Sequence, residues 1–186
     1  DVVIPLERLG EYTDAIERIN IEFSIRNKLA VLDAVDAYLA GAPRVGKTGE
    51  ADTDRLPPEE VLGERPRLAR EVIAAAGRRW SWLLENMDRT VAESLDDLAA
   101  IGIDLRAAHA GSRIDRDSGL RVFDLLQDRS IRISWKAEVR GELRRIFAGG
   151  PFAPLLEDVT AVHQRVLRGR LFVALHMHAG DGNVHT

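Results

Sequence analysis

Apolar residues recur along most of this chain at the three- and four-residue spacing of a helix face. Leu9, Tyr12, Ile16, Ile19 and Phe23 form one series, and Ile21, Ile25, Leu29, Leu32, Val35 and Leu39 continue on a rotated face. The two together predict one long helix that meets two surfaces in succession. Beyond Pro66, Ala69, Val72, Ile73, Ala76, Trp80, Leu83, Leu84 and Met87 make a further stripe, with Arg67, Arg70, Glu71, Arg78 and Glu85 mainly off it. Trp80 is therefore read as core, and Trp82, off the stripe, as surface. Thr90 and Glu93 have capping-box spacing ahead of Val91, Leu95 and Leu98, which predicts another helix ending near Gly102. Ser134 is placed to cap a helix whose face is Trp135, Val139, Leu143, Ile146 and Phe147, and Gly149 and Gly150 stop it. Pro151 suits the first turn of a last helix, with Phe152, Leu155, Leu156, Val159, Val162 and Val166 inward and Gly169 at its end.

The pattern breaks in four places. Val2 to Ile4 reads as a short strand closed by Pro5, which cannot donate to a ladder. Residues 41–66 are dense in glycine and proline, the mark of a linker or mobile loop. Residues 107–119 are polar and turn-rich, and Leu120 to Gln127 is too short and uniformly apolar to assign between helix and strand. Leu171 to Leu175 is a continuous apolar run of the kind found in strands buried on both faces.

Composition narrows the function classes. No apolar run approaches the roughly 20 residues of a membrane span. The net charge of −4 removes the electrostatic case for nucleic-acid binding. With no cysteine the chain holds neither a disulfide nor a cysteine-ligated iron–sulfur cluster. Gly46, Lys47 and Thr48 look like the end of a phosphate-binding loop, but the preceding glycine spacing is wrong and no apolar strand leads into them. The arginines between 129 and 170 read as a solvated helix surface, with attraction of an anionic substrate or a partner as the alternative.

Candidate chemistry gathers at the end of the chain, where His176, His178 and His185 are three of only five histidines. Strand alternation puts His176 and His178 on one face. Gly180, Asp181, Gly182 and Asn183 form a turn by composition, since these residues tolerate positive φ. If the return strand begins at Val184, His178 and His185 come opposite each other and share one divalent ion, for which neutral imidazole is a good ligand. His109, in a polar loop, and His163, beside a helix stripe, are read as a solvated and a packing histidine.

The string from His178 to His185 resembles the H-x-G-D-G-N-x-H signature of the FAD-linked oxidase C-terminal domain, found in D-lactate dehydrogenases, glycolate oxidase subunits and D-2-hydroxyglutarate dehydrogenases of the vanillyl-alcohol-oxidase superfamily. All six fixed positions match. Residues 1–25 are similar to that family's first cap strand and helix, while the middle resembles a subgroup with a large helical insertion. The resemblance implies an α+β fold, part of a ferredoxin-like cap, at 1–40 and 169–186. The interruption is an all-helical insertion at 41–168 with its linker at 41–66.

It further implies an FAD-dependent oxidoreductase acting on a 2-hydroxy acid. His178 and His185 would be metal ligands, the metal being zinc, manganese or iron, and Gly180, Asp181, Gly182 and Asn183 would lie at the cofactor. His185 and His176 would be the catalytic histidines; His176 is not required by the family pattern and is the only local candidate for a base or an extra ligand. The glutamate that completes the family's metal site has no counterpart before Thr186, so the chain is expected to be an excerpt of a longer protein whose other domain holds the FAD. The expected partners are that domain, a small anionic substrate and a redox partner, in the cytoplasm or at the membrane periphery. Two other readings compete: a metal-dependent hydrolase in which His176 and His178 form an H-x-H metal motif, and a non-enzymatic protein whose helical insertion is an interaction module and whose histidines are inert.

Overall fold

The computed structural model describes residues 2–3, 5–47, 49, 56–105, 119–170, 176–178 and 183–185. After a two-residue strand β1 (Val2–Val3) and a 3-10 turn (Leu6–Arg8), α1 runs without interruption over Leu9–Ala40. Of its buried positions, Ile25, Leu32, Val35 and Leu39 belong to the second of the two sequence stripes, and Val31 lies beside it. α1 packs along α3 (Arg65–Glu85) and α7 (Ala153–Arg168), the two other long helices. Each contributes one apolar stripe: Ala69, Ile73, Ala76, Trp80 and Leu83 from α3, and Leu155, Val159 and Val162 from α7. Trp80 is fully buried, as its place in the stripe predicts, whereas Trp82 is half-buried beneath the Arg89 guanidinium rather than at the surface.

Short helices close the ends of this body. α4 (Val91–Ala100) starts at Thr90, whose hydroxyl accepts from Glu93 N at 3.3 Å and donates to Glu93 Oε2 at 2.7 Å. The ambiguous stretch resolves as α5 (Val122–Gln127), tied to the start of α4 by Val91 N to Leu120 O at 2.8 Å and Val122 N to Arg89 O at 3.0 Å. Ser134 caps as expected, accepting from Ala137 N at 3.2 Å, but the first turn it caps is a π-helix (Trp135–Arg140) that passes into α6 (Gly141–Ile146). A 3-10 turn (Gly150–Phe152) then leads into α7.

The described parts of the glycine- and proline-rich segment carry regular structure and anchoring contacts. Pro58–Leu62 is a helix, α2. Ahead of it the chain is fastened across α7: Arg44 Nε donates to Asp158 Oδ2 at 2.7 Å, Tyr38 Oη donates to the same oxygen at 2.8 Å, and Gly46 N donates to Pro151 O at 2.7 Å. Burial and the Asp158 contact push the Tyr38 phenol up to about 12, while Arg44 and Tyr38 hold Asp158 below the usual carboxylate range. With its amide taken by Pro151, Gly46 is a packing residue here.

The expected α+β class with a ferredoxin-like cap is overturned. The described part of the chain is 74% helical. Among the described residues the strands besides β1 are β2 (His176–His178) and β3 (Asn183–His185), in one antiparallel ladder of order β1-β3-β2. Strands of two and three residues present too little surface to found a layer, which takes at least three strands of ordinary length with an apolar face. The apolar surface lies elsewhere: among the described residues the buried hydrophobic side chains run from Ile25 to Val162, on helices and their connections. Residues 171–175, expected as a buried strand, lie outside the described residues.

No helix among the described residues is long and apolar enough to cross a membrane.

Candidate functional site

The strand ladder fixes which of the chemistry-bearing positions meet. β2 and β3 pair antiparallel with His176 opposite His185, Met177 opposite Val184 and His178 opposite Asn183. The expected partner of His185 was His178, so the observed register differs by two residues. The reason is that the ladder closes at His178 opposite Asn183, so the connection is two residues shorter than a pairing of His178 with His185 requires. A two-residue slip preserves the face, because side chains alternate with a period of two. Positions 176, 178, 183 and 185 therefore share one face of the ladder, with 176 and 185 directly opposite and 178 on the diagonal from 185. Directly opposite positions stand roughly 5 Å apart at Cβ and diagonal ones about 7–8 Å. β3 is the central strand, since it also pairs with β1 through Val2 opposite Val184 and Val3 opposite Asn183. Gly180, Asp181 and Gly182 lie outside the described residues, as does His109.

This donor set fits a divalent ion. Imidazole nitrogens bind zinc at about 2.0–2.1 Å, and three histidines with an open fourth position is an established arrangement for that metal. The register places His176, rather than His178, directly opposite His185. Among the described residues no group of three or more His, Asp or Glu side chains stands ready to hold a metal ion.

His163 is a packing residue, as expected. Its ring stacks on Trp135, centroids 5.1 Å apart and planes 20° from parallel. Burial, with the nearby Arg140 adding to it, holds its pKa below the ordinary histidine value. A depressed folded-state pKa means that the unfolded chain binds the proton first, so stability is unaffected well above about pH 6.5 and falls as pH drops through that value. Urea midpoints measured at pH 7.5 and 5.5 should thus fall more for wild type than for His163→Gln; an identical drop in both would remove His163 as a cause.

Spacing gave no sign of Glu138. It lies on the π-helix, and its Oε2 accepts from Arg79 Nη1 at 2.7 Å and Trp80 Nε1 at 3.0 Å while Oε1 accepts from Ser134 N at 2.7 Å. Arg79 also donates through Nε to Ile101 O at 2.8 Å, so a single side-chain pair joins α3, the end of α4 and the π-helix. Both carboxylate oxygens of Glu138 are engaged by groups of the fold itself, and the node is structural.

No known protein family, characterised protein or solved structure matches the chain.

Proposed function

We propose that this chain supplies the metal and substrate side of an FAD-dependent oxidoreductase acting on a 2-hydroxy acid. The observation that carries the reading is the hairpin: the string His178-Ala179-Gly180-Asp181-Gly182-Asn183-Val184-His185, and a backbone register that sets His176 and His185 opposite each other with His178 on the same face. The reading rests on these residues and not on the helical fold around them.

The roles follow from imidazole chemistry. His178 and His185 bind a divalent ion through neutral ring nitrogens, which requires both to be deprotonated near neutral pH. His176 is a third ligand rather than a base, because a residue directly opposite one ligand and two positions from another is as near to a shared ion as either of them. A bound divalent ion supplies a Lewis acid that lowers the pKa of a substrate hydroxyl, and FAD on another domain supplies the hydride acceptor. With three uncharged ligands the ion keeps its full positive charge, which favours an anionic substrate.

Titrating cobalt(II) into the chain and following its visible absorption tests the assignment. Wild type should bind one equivalent, and His178→Ala and His185→Ala should each weaken binding at least tenfold, the loss expected when a ligand is removed from a site of three. His163→Ala serves as the control and should titrate as wild type. Unchanged binding in both hairpin variants would return the three histidines to a purely structural role.

A further inference from the structure

A second region combines a cavity, cationic side chains and backbone strain. Between α1 and the segment joining α5 to Ser134 lies a groove of about 480 Å³, a size usual for small-ligand sites. Its floor is apolar, with Ile25, Leu126 and Ile131 at 2%, 8% and 5% exposure. Lys28, Arg129 and Arg132 line the same groove. Lys28 Nζ donates to Ser24 Oγ at 2.5 Å, and desolvation lowers its pKa against the opposing pull of Glu138. Arg132 Nε donates to Arg129 O at 3.3 Å, which holds the two arginines to one turn. Neither arginine forms an ion pair among the described residues. The acidic member of the lining, Glu17, is engaged by the Gln127 amide, which also donates to Asp14.

Arg129 is also where the backbone is strained. Its φ of 65° makes it the one described residue other than glycine in the left-handed region, which crowds the Cβ of any L side chain. It follows Asp128 at the end of α5, a position that glycine would occupy without strain. The turn is not loose: Ser130 N donates to Asp128 Oδ1 at 2.8 Å and Ile131 N to Leu125 O at 2.9 Å. An arginine kept in such a conformation beside a cavity points to a use for its side chain. The same segment runs directly into the π-helix, a feature concentrated at functional sites.

We propose that this groove binds an amphipathic monocarboxylate, its head group met by Lys28, Arg129 and Arg132 and its apolar body laid on Ile25, Leu126 and Ile131. A cationic ligand would meet three like charges, and a dianion would face Glu17 and desolvate a second charge over the isoleucine floor. Guanidinium groups suit a carboxylate head through paired charge-assisted hydrogen bonds.

The test is calorimetric titration of the chain with octanoate, octanol and octylammonium. Octanoate should bind one to one, octanol at least tenfold more weakly and octylammonium not at all. Arg132→Gln and Lys28→Met should each reduce octanoate affinity at least tenfold. Arg129→Gly separates strain from structure: the variant should unfold at higher urea than wild type yet lose octanoate affinity at least tenfold. Octanol binding as tightly as octanoate, or folded Arg129→Gly and Arg132→Gln variants binding octanoate like wild type, would overturn the proposal.

Discussion

Glu138→Ala should destabilise the protein by about 3 kcal/mol, at the lower end of the cost of breaking a buried charge pair. The Glu138 side chain is 14% exposed and its partner Arg79 30%, so solvent offsets part of the loss. What remains is structural. Removing the carboxylate leaves Trp80 Nε1 without its acceptor inside a fully buried residue, and an unsatisfied buried donor alone costs about 1–3 kcal/mol. It also strips the acceptor from Ser134 N at the start of the π-helix. Glu138→Gln keeps the shape and two acceptor lone pairs but not the charge, and should cost about half as much. Trp80→Phe deletes the donor together with its need for a partner and should leave Arg79 still paired. Urea unfolding with the slope held constant is the measurement; at a slope of about 2 kcal/mol/M the Glu138→Ala midpoint should fall by about 1.5 M. A loss below about 1 kcal/mol would show that the node ties α3, α4 and the π-helix together only in appearance.

The contrast between this node and the rest of the fold shows what kind of information the sequence carries. Helices α1, α3 and α7 were readable because their apolar stripes repeat over many turns, and the caps at Thr90 and Ser134 because a cap is a local contact between residues three apart. Glu138 finds Arg79 and Trp80 across 59 and 58 positions, and nothing in local spacing marks such a pair. The π-turn after Ser134 is invisible for a related reason, since the same cap and stripe serve an α-helix equally well. The fold class was misread because apolar ends of the chain were given the weight of strands, while the stripes between them were already sufficient to enclose a core of their own. At the hairpin the alternation of His176 and His178 was legible and the partner of His185 was not: composition locates a turn, but the register depends on where the ladder closes.

Phe147→Ala should cost about 3–5 kcal/mol, the usual price of emptying a phenylalanine site that cannot collapse. Phe147 is fully buried at the end of α6, and its ring meets Phe152 with centroids 5.9 Å apart at 55°. Phe152 in turn carries the Arg65 guanidinium 4.8 Å above its ring, so the corner between α6 and α7 is also the place where α3 begins. The backbone cannot follow the lost volume, because Gly149, between the two rings, sits at φ 115° and ψ 157°, a region open essentially to glycine alone. Phe147→Leu retains most of the volume and should lose less than about 1.5 kcal/mol. Gly149→Ala tests the constraint independently: a Cβ there would meet nothing nearer than 3.8 Å, so any loss is backbone strain, expected at about 1–3 kcal/mol. If Phe147→Ala and Gly149→Ala each cost under about 0.5 kcal/mol, the corner relaxes freely, and α7 must be held against α1 by its own stripe of Leu155, Val159 and Val162 instead.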